Sequence, residues 1–214
     1  HAGVPVRQRS ERQDDVPVDG RGIKVGIIDT GIDYTHKMFG GEGTEDAYKR
    51  NNPSLVEQSS FPTAKVVGGI DLVGTNYNEA ARDFALHVPQ PDADPIDEAG
   101  HGTHVAGTVA GIGDGKQTYT GVAPGAELYA IKVFGKDGST SDAVVIAGLE
   151  YAVDPNQDLA PDDRLDVVNL SLGSSFGLPY QLYDEAVSNL RNAGITAAMS
   201  AGNSGSMSAT FSSG

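Results

Sequence analysis

From residue 101 onward the chain alternates between helical and strand-like patterns, in units of about 30 residues, the length of a βαβ unit. Strands are predicted over 23–28, 65–70, 127–134, 165–172 and 195–201, and helices over 101–112, 141–153 and 182–193. Residues 1–22 are polar and are predicted to form an N-terminal arm. The alternation predicts an α/β fold with a mostly parallel central sheet, in which functional sites gather at the carboxyl ends of strands.

Charge and cysteine content narrow the function classes. The chain has 15 Lys and Arg against 29 Asp and Glu, a formal net charge of -14, without any basic stripe. This balance argues against nucleic acid as a partner, because phosphate binding needs clustered Lys and Arg. The absence of cysteine excludes disulfides, thiolate metal sites and thiol catalysis. No apolar run reaches the ~18 residues of a membrane-spanning helix, so no membrane partner is expected.

The first motif, Asp-Thr-Gly-Ile-Asp at 29–33, directly follows the predicted strand 23–28. Asp followed by small residues is also common in plain turns. The motif matches the Asp-Thr-Gly of aspartic proteases as well, whose chemistry needs two carboxylates sharing one proton. The chain holds no second Asp-Thr-Gly or Asp-Ser-Gly, so that interpretation requires a homodimer.

Two further motifs follow at 100–107, GHGTHVAG, and at 200–205, SAGNSG. The first opens a helix of small residues that suits close backbone approach. His101 and His104, with Asp29 as a third ligand, admit a metal site. No Glu stands beside the pair, and we expect His104 to be a hydrogen-bonded core histidine. The second motif places the Asn203 amide beyond the last predicted strand, with a plain turn as the alternative.

Taken together, the motifs occur in the order Asp, His, Asn, each at a strand end or a helix start. With GVAPGAELYAIKVF and VVNLSLG between them, they resemble the subtilase family, and in particular its larger secreted bacterial members, across residues 21 to about 205. The resemblance implies a subtilisin-like three-layer fold, incomplete at the C-terminus, with 23–214 as the catalytic-domain portion. It implies a secreted serine endopeptidase that acts on protein or peptide substrates and needs no cofactor for its chemistry.

Site residues also follow from the resemblance. Asp29 would orient the imidazole, His101 would be the general base, and Asn203 would donate to the oxyanion. Two edges would pair with the substrate backbone by strand addition, and small residues would form the pocket floor. These are Ser171, Leu172 and Gly173 on one edge, Gly138, Ser139 and Thr140 on the other, and Ser200, Ala201 and Gly202 at the floor.

The nucleophile is where the chain departs from the family. The family serine sits in Gly-Thr-Ser-Met-Ala followed by Pro, and this chain has no such segment. Ser206 is rejected, because it lies just after the turn that presents Asn203, whereas the two groups must converge from separate segments. We therefore expect a C-terminal remainder of the same protein to carry the serine. The 214 residues alone would be inactive, and the strands holding Ile27, Val168 and Ala198 would lack part of their apolar cover.

An insertion is expected at about 40–98, because Asp29 and His101 are further apart than in compact family members. Within it, Asp92, Asp94 and Asp97 are candidate ligands of a structural calcium ion, with plain solvation as the alternative. Alternatively, these carboxylates, Asp97 and Glu98 above all, flank the pocket and favour basic substrate side chains. Met38 stands where many family members have a calcium-binding Asp.

A different class of function stays open beside the endopeptidase. A pseudoprotease or peptide-binding module would use the same cleft without chemistry. The joint presence of Asp29, His101 and Asn203 favours the enzyme, because a pure binder does not need them.

Overall fold

Five parallel strands form the centre of the fold in the computed structural model, which describes residues 18–57, 59–113, 115, 119–173 and 181–203. The strands are β1 (Lys24–Asp29), β2 (Val66–Asp71), β3 (Glu127–Lys132), β4 (Val167–Leu170) and β5 (Thr196–Met199). Their order across the sheet is β2-β3-β1-β4-β5, so β1 is central. The expected α/β fold with a parallel sheet is confirmed, and β2 shows that part of the expected insertion belongs to the sheet.

Among the described residues, four helices accompany the strands: α1 (Glu45–Arg50), α2 (His101–Ala110), α3 (Asp142–Val153) and α4 (Gln181–Asn192). Gly194, in the left-handed conformation with φ +85°, follows the end of α4, where glycine is favoured. Short 3-10 turns lie at Lys37–Phe39 and Phe84–His87. These turns and α1 were not predicted from the sequence. α1 is a short helix of six residues, and the hydroxyl of its N-cap residue Thr44 accepts from the Ala47 N–H at 3.1 Å.

The sheet buries both of its faces, which makes three layers. Val25 and Ile27 of β1 pack on one face, in a cluster that includes Ala106 and Ala110 of α2. Ile28 packs on the other face, in a cluster that includes residues of α3 and α4. Alternate residues of a strand point to opposite faces, so a central strand covered on both sides is apolar throughout.

Two of the three strand residues that were expected to lack apolar cover are buried. Ile27 and Val168 are both 0% exposed, so the expected lack of cover over them is wrong. Ala198 on the edge strand β5 is exposed, as expected. Residues 1–17 of the predicted arm lie outside the described residues, and the division into arm and catalytic domain stays a prediction. No helix among the described residues is long and apolar enough to cross a membrane.

A buried lysine joins the end of β3 to its neighbours. Lys132 is 0% exposed, and its Nζ lies 2.9 Å from Asp71 Oδ2 and 3.2 Å from Glu98 Oε2. Burial alone would lower the pKa of Lys132, but the two carboxylates outweigh it and raise the pKa above its usual value. The ammonium therefore stays charged and ties β2 and β3 to the segment that leads into α2.

Lys132→Met is expected to lower the free energy of unfolding by about 3 kcal/mol, because it leaves the Asp71 carboxylate buried without its cation. The midpoint of urea denaturation measures the loss. Lys49→Met is the matched control, since its pair with Glu45 is exposed and contributes little. Equal midpoints for the two variants would contradict this account.

Candidate active site

The predicted site residues gather where the carboxyl ends of the parallel strands meet. β1 ends at Asp29 between β3 and β4. The loop after β3 contains Gly138–Thr140, and the segment after β4 contains Ser171–Gly173. The two predicted substrate edges therefore follow the two strands that flank Asp29. This arrangement brings both predicted edges to the end of the sheet at which β1 ends.

Asp29 and His101 are in direct contact. The Nδ1 of His101 lies 2.7 Å from Oδ1 of Asp29, so the expected proximity of the two side chains is confirmed. Asp29 is 1% exposed, while the His101 side chain is 56% exposed. The imidazole therefore has one edge against a buried carboxylate and the other edge open to solvent.

Hydrogen bonding sets the tautomer of His101. The same Asp29 Oδ1 also accepts from the Thr30 N–H at 2.7 Å. A carboxylate only accepts, so the proton in the Asp29–His101 bond belongs to Nδ1 and Nε2 is left as the base. Burial raises the pKa of the Asp29 carboxyl, although the hydrogen bonds from His101 and Thr30 partly offset this effect. Asp29 Oδ2 is buried and has no hydrogen-bond partner among the described residues.

Two glycines allow this contact between a strand end and a helix start. A Cβ on Gly102 would overlap the backbone oxygen of Gly31 and would lie 3.2 Å from the Asp29 Cβ. A Cβ on Gly31 would overlap the backbone oxygen of Pro95, and Gly31 also has φ +104°. The small residues of the second motif thus bring α2 against the end of β1, as the sequence analysis expected.

Backbone hydrogen bonds with residues 75–79 support the predicted substrate edge after β3. The backbone oxygen of Ser139 accepts from the Glu79 N–H at 3.3 Å, and Thr75 accepts from the Lys136 N–H at 3.0 Å. Gly138 has φ +75°. Ser141 is the N-cap residue of α3, but its hydroxyl makes no cap hydrogen bond and accepts from the Tyr77 hydroxyl at 3.2 Å. Residues 75–79 of the expected insertion therefore hold this edge in place.

The other predicted edge and the predicted pocket floor are joined to each other. The Ser200 hydroxyl donates to the Leu172 backbone oxygen at 2.7 Å, and the Ser200 N–H donates to the Leu170 oxygen at 3.1 Å. Asn169 Nδ2 donates to the Ser171 hydroxyl at 2.9 Å. Asn203 is exposed beyond β5 and follows Gly202, which has φ +75°. Ser206 lies outside the described residues.

The three calcium candidates do not share a site. Asp94 accepts from the Tyr34 hydroxyl at 2.7 Å and from Asn51 Nδ2 at 3.1 Å, while Asp92 accepts from the Asp94 N–H at 2.8 Å. Asp97 accepts hydrogen bonds from a different set of donors, which includes the hydroxyls of Thr30 and Thr103. No three His, Asp or Glu side chains in the described part of the chain come together to hold a metal ion. These carboxylates do not fit a calcium ion, and the calcium hypothesis gains no support.

Two expectations about neighbouring side chains are corrected. His104 is exposed rather than a core histidine, because it faces away from β1 on α2. Asp97 is 2% exposed and Glu98 is paired with Lys132, so neither carboxylate is free to select basic substrate side chains. The contacts of Thr30, Asp97 and Thr103 were not predicted from the sequence. An acid just before a helix start, with Thr inside the first turn, was the available signal.

Comparisons with known proteins agree with one another. The family model described as "Subtilase family" matches residues 20–213. The chain is 38% identical over 192 residues to the minor extracellular protease Vpr of Bacillus subtilis, covering 89% of this chain and 19% of Vpr. It is 35% identical over 188 residues to subtilisin DY of Bacillus licheniformis, covering 87% of this chain and 49% of that protein. A cold adapted subtilisin-like serine proteinase superposes with a TM-score of 0.54 at 26% identity, over 87% of this chain and 49% of that structure.

Proposed function

The chain belongs to the subtilase family, and from that premise we propose that it is part of a secreted serine endopeptidase whose nucleophilic serine lies outside these 214 residues. The observation that carries the proposal is the 2.7 Å contact between Asp29 Oδ1 and His101 Nδ1 at the end of the central strand. The chain spans about half or less of its curated relatives, so the activity belongs to the longer protein.

His101 acts as the general base in this proposal. Its Nε2 takes the proton of the serine hydroxyl as the oxygen attacks the peptide carbonyl, and later returns that proton to the leaving amine. Asp29 holds the imidazole in the required tautomer and stabilises the imidazolium that forms. The burial of Asp29 strengthens this interaction, because the local dielectric constant is lower than that of water.

The remaining expected roles concern the substrate. The Asn203 amide would donate to the oxygen that becomes negatively charged in the tetrahedral intermediate. An extended peptide would add between the edges 138–140 and 171–173, above the floor 200–202. The hydrogen bond from Ser200 to Leu172 supports this arrangement, since it joins the floor to one edge.

Secretion is proposed from the relatives, one of which is named an extracellular protease. The proposed partners are protein or peptide substrates and the C-terminal remainder of the same protein. A structural calcium ion bound elsewhere in the longer protein stays a proposal.

Labelling with a fluorophosphonate probe tests the proposal on the full-length protein. We expect covalent labelling of one serine outside this chain, because only a serine activated by His101 reacts readily. His101→Ala should abolish the labelling. His87→Ala is the matched control and should label normally, since the His87 ring contacts Ala81 and Phe84 rather than Asp29.

A different outcome would favour the pseudoprotease or peptide-binding alternative. That alternative predicts no labelling of the folded full-length protein, together with saturable binding of extended peptides that His101→Ala leaves intact. Labelling that Ser206→Ala abolishes would instead show that the nucleophile lies within this chain.

A further inference from the structure

A second buried carboxylate lies beside the Asp29–His101 pair. Asp97 precedes α2, is 2% exposed, and forms hydrogen bonds with both of its oxygens. Oδ1 accepts from the Thr30 hydroxyl at 2.8 Å and from the N–H groups of Ala99 and Gly100 at 2.9 and 2.8 Å. Oδ2 accepts from the Thr103 N–H at 2.8 Å and the Thr103 hydroxyl at 2.6 Å. The carboxylate therefore has five protein donors.

These contacts complete the start of α2. The residue that caps α2 is Gly100, which has no side chain to accept from the first N–H groups of the helix. Asp97 accepts from the Thr103 N–H, and the Thr30 hydroxyl accepts from the Gly102 N–H at 2.9 Å. Donors at a helix start need such partners, and a negative charge there is favourable. His101 is the first residue of this helix, so the cap fixes its backbone.

The same network reaches the residue next to Asp29. Thr30 follows Asp29 directly, and its hydroxyl joins Asp97 to α2. Thr103 also accepts from the Asp33 N–H at 2.9 Å, which ties the turn after β1 to the helix. Asp29 and His101 thus lie on two segments that the Asp97 carboxylate holds together.

We propose that Asp97 is a positioning residue for the reaction, which holds the His101 imidazole at its hydrogen-bond distance from Asp29. The proposal rests on the proposed endopeptidase function. Asp97 acts through the backbone of α2 and through Thr30, without contact with the substrate. Its effect falls on the orientation of the base, so it changes the rate of the chemical step rather than substrate binding.

The chain offers a matched control nearby. The Tyr34 hydroxyl donates to Asp94 at 2.7 Å, and Tyr34 and Asp94 are both 0% exposed. This bond joins the same two segments as the bond between Thr30 and Asp97, but neither Tyr34 nor Asp94 bonds to α2. Tyr34→Phe removes one buried hydrogen bond between the segments and leaves the start of the helix intact.

The test compares Asp97→Asn with Tyr34→Phe in the full-length protein. Asn keeps one acceptor oxygen, so its NH₂ group faces either the donors now bound to Oδ1 or the Thr103 N–H. In both orientations part of the network at the start of α2 is lost. We expect Asp97→Asn to lower kcat about 10²-fold with KM unchanged, the size of effect that a 1 Å misplacement produces. The low-field proton NMR signal of His101 Nδ1–H, assigned by its loss in His101→Ala, should broaden or shift. Tyr34→Phe should lower the melting temperature and keep both kcat and the signal.

Thr103 provides a second pair of variants if Asp97→Asn does not fold. Thr103→Ser keeps the hydroxyl and should retain kcat. Thr103→Val removes the hydroxyl, so it should lower kcat and broaden or shift the NMR signal. Equal losses of kcat in Asp97→Asn and Tyr34→Phe, or an unchanged signal and kcat in Asp97→Asn, would overturn the proposal. A wild-type protein without peptidase activity would overturn the proposed function alone, because the NMR comparison still decides whether Asp97 positions His101.

Discussion

Replacing Asp29 by Asn in the full-length protein is expected to reduce kcat about 10⁴-fold while the protein stays folded. Asn keeps the shape of the side chain, but its NH₂ group can donate to His101 Nδ1. The imidazole would then carry its proton on Nε2, the atom that must accept the proton of the serine. The lost charge also removes the stabilisation of the imidazolium, which the 2.7 Å contact now provides.

Steady-state hydrolysis of a peptide substrate measures this loss, with circular dichroism as the check on folding. Asp33→Asn is the matched control in the same motif, because Asp33 bonds to Thr35 rather than to His101. We expect the control to keep kcat within about threefold of the wild type, as for a residue outside the reacting groups. A kcat for Asp29→Asn equal to that of the control would remove Asp29 from the mechanism.

Gly102→Ala is expected to lower the free energy of unfolding by about 3 kcal/mol and kcat about 10²-fold. The new Cβ would overlap the backbone oxygen of Gly31, which cannot move aside as a flexible side chain could. The overlap is relieved only if α2 moves away from the end of β1, and that movement lengthens the bond between Asp29 and His101. Stability and activity should therefore fall together.

Gly148→Ala separates these two effects. Gly148 lies in α3 on the other face of the sheet, and its added Cβ would meet methyl groups of Val133 and Ile131 at 3.2 and 3.3 Å. We expect a smaller loss of stability and an unchanged kcat, measured by thermal melting and by hydrolysis of the same peptide. Retention of full activity by Gly102→Ala would show that the close approach of α2 to β1 is not needed.

The five strands and the helices α2, α3 and α4 could be predicted from the sequence because their patterns repeat over whole elements. An apolar strand such as 24–29 is recognisable without knowledge of its neighbours. The six-residue helix α1 was not predicted, since its stability depends on the Thr44 cap rather than on apolar periodicity. The contact between Asp29 and His101 was predicted from motifs, because motifs carry chemical information that periodicity does not.

The roles of the acidic residues could not be predicted from the sequence. Asp94 and Asp97 are neighbours in a run of acids, a pattern that indicates a calcium site or a solvated loop. Both are buried, and each accepts a hydrogen bond from a distant part of the chain, from Tyr34 in one case and from Thr30 in the other. Such contacts depend on the tertiary packing of segments far apart in sequence, so local composition does not report them.

The central position of β1 also shapes how the chain reaches its fold during synthesis. β1 precedes the other described strands in the sequence, yet Lys24 pairs with Glu127 and Val25 pairs with Val167. More than half of the described chain must therefore be synthesised before β1 has a neighbouring strand with which to pair. Contacts of such long separation slow folding and leave an unpaired apolar strand open to association with other chains. The strand that carries Asp29 is thus the part of the nascent chain most in need of protection.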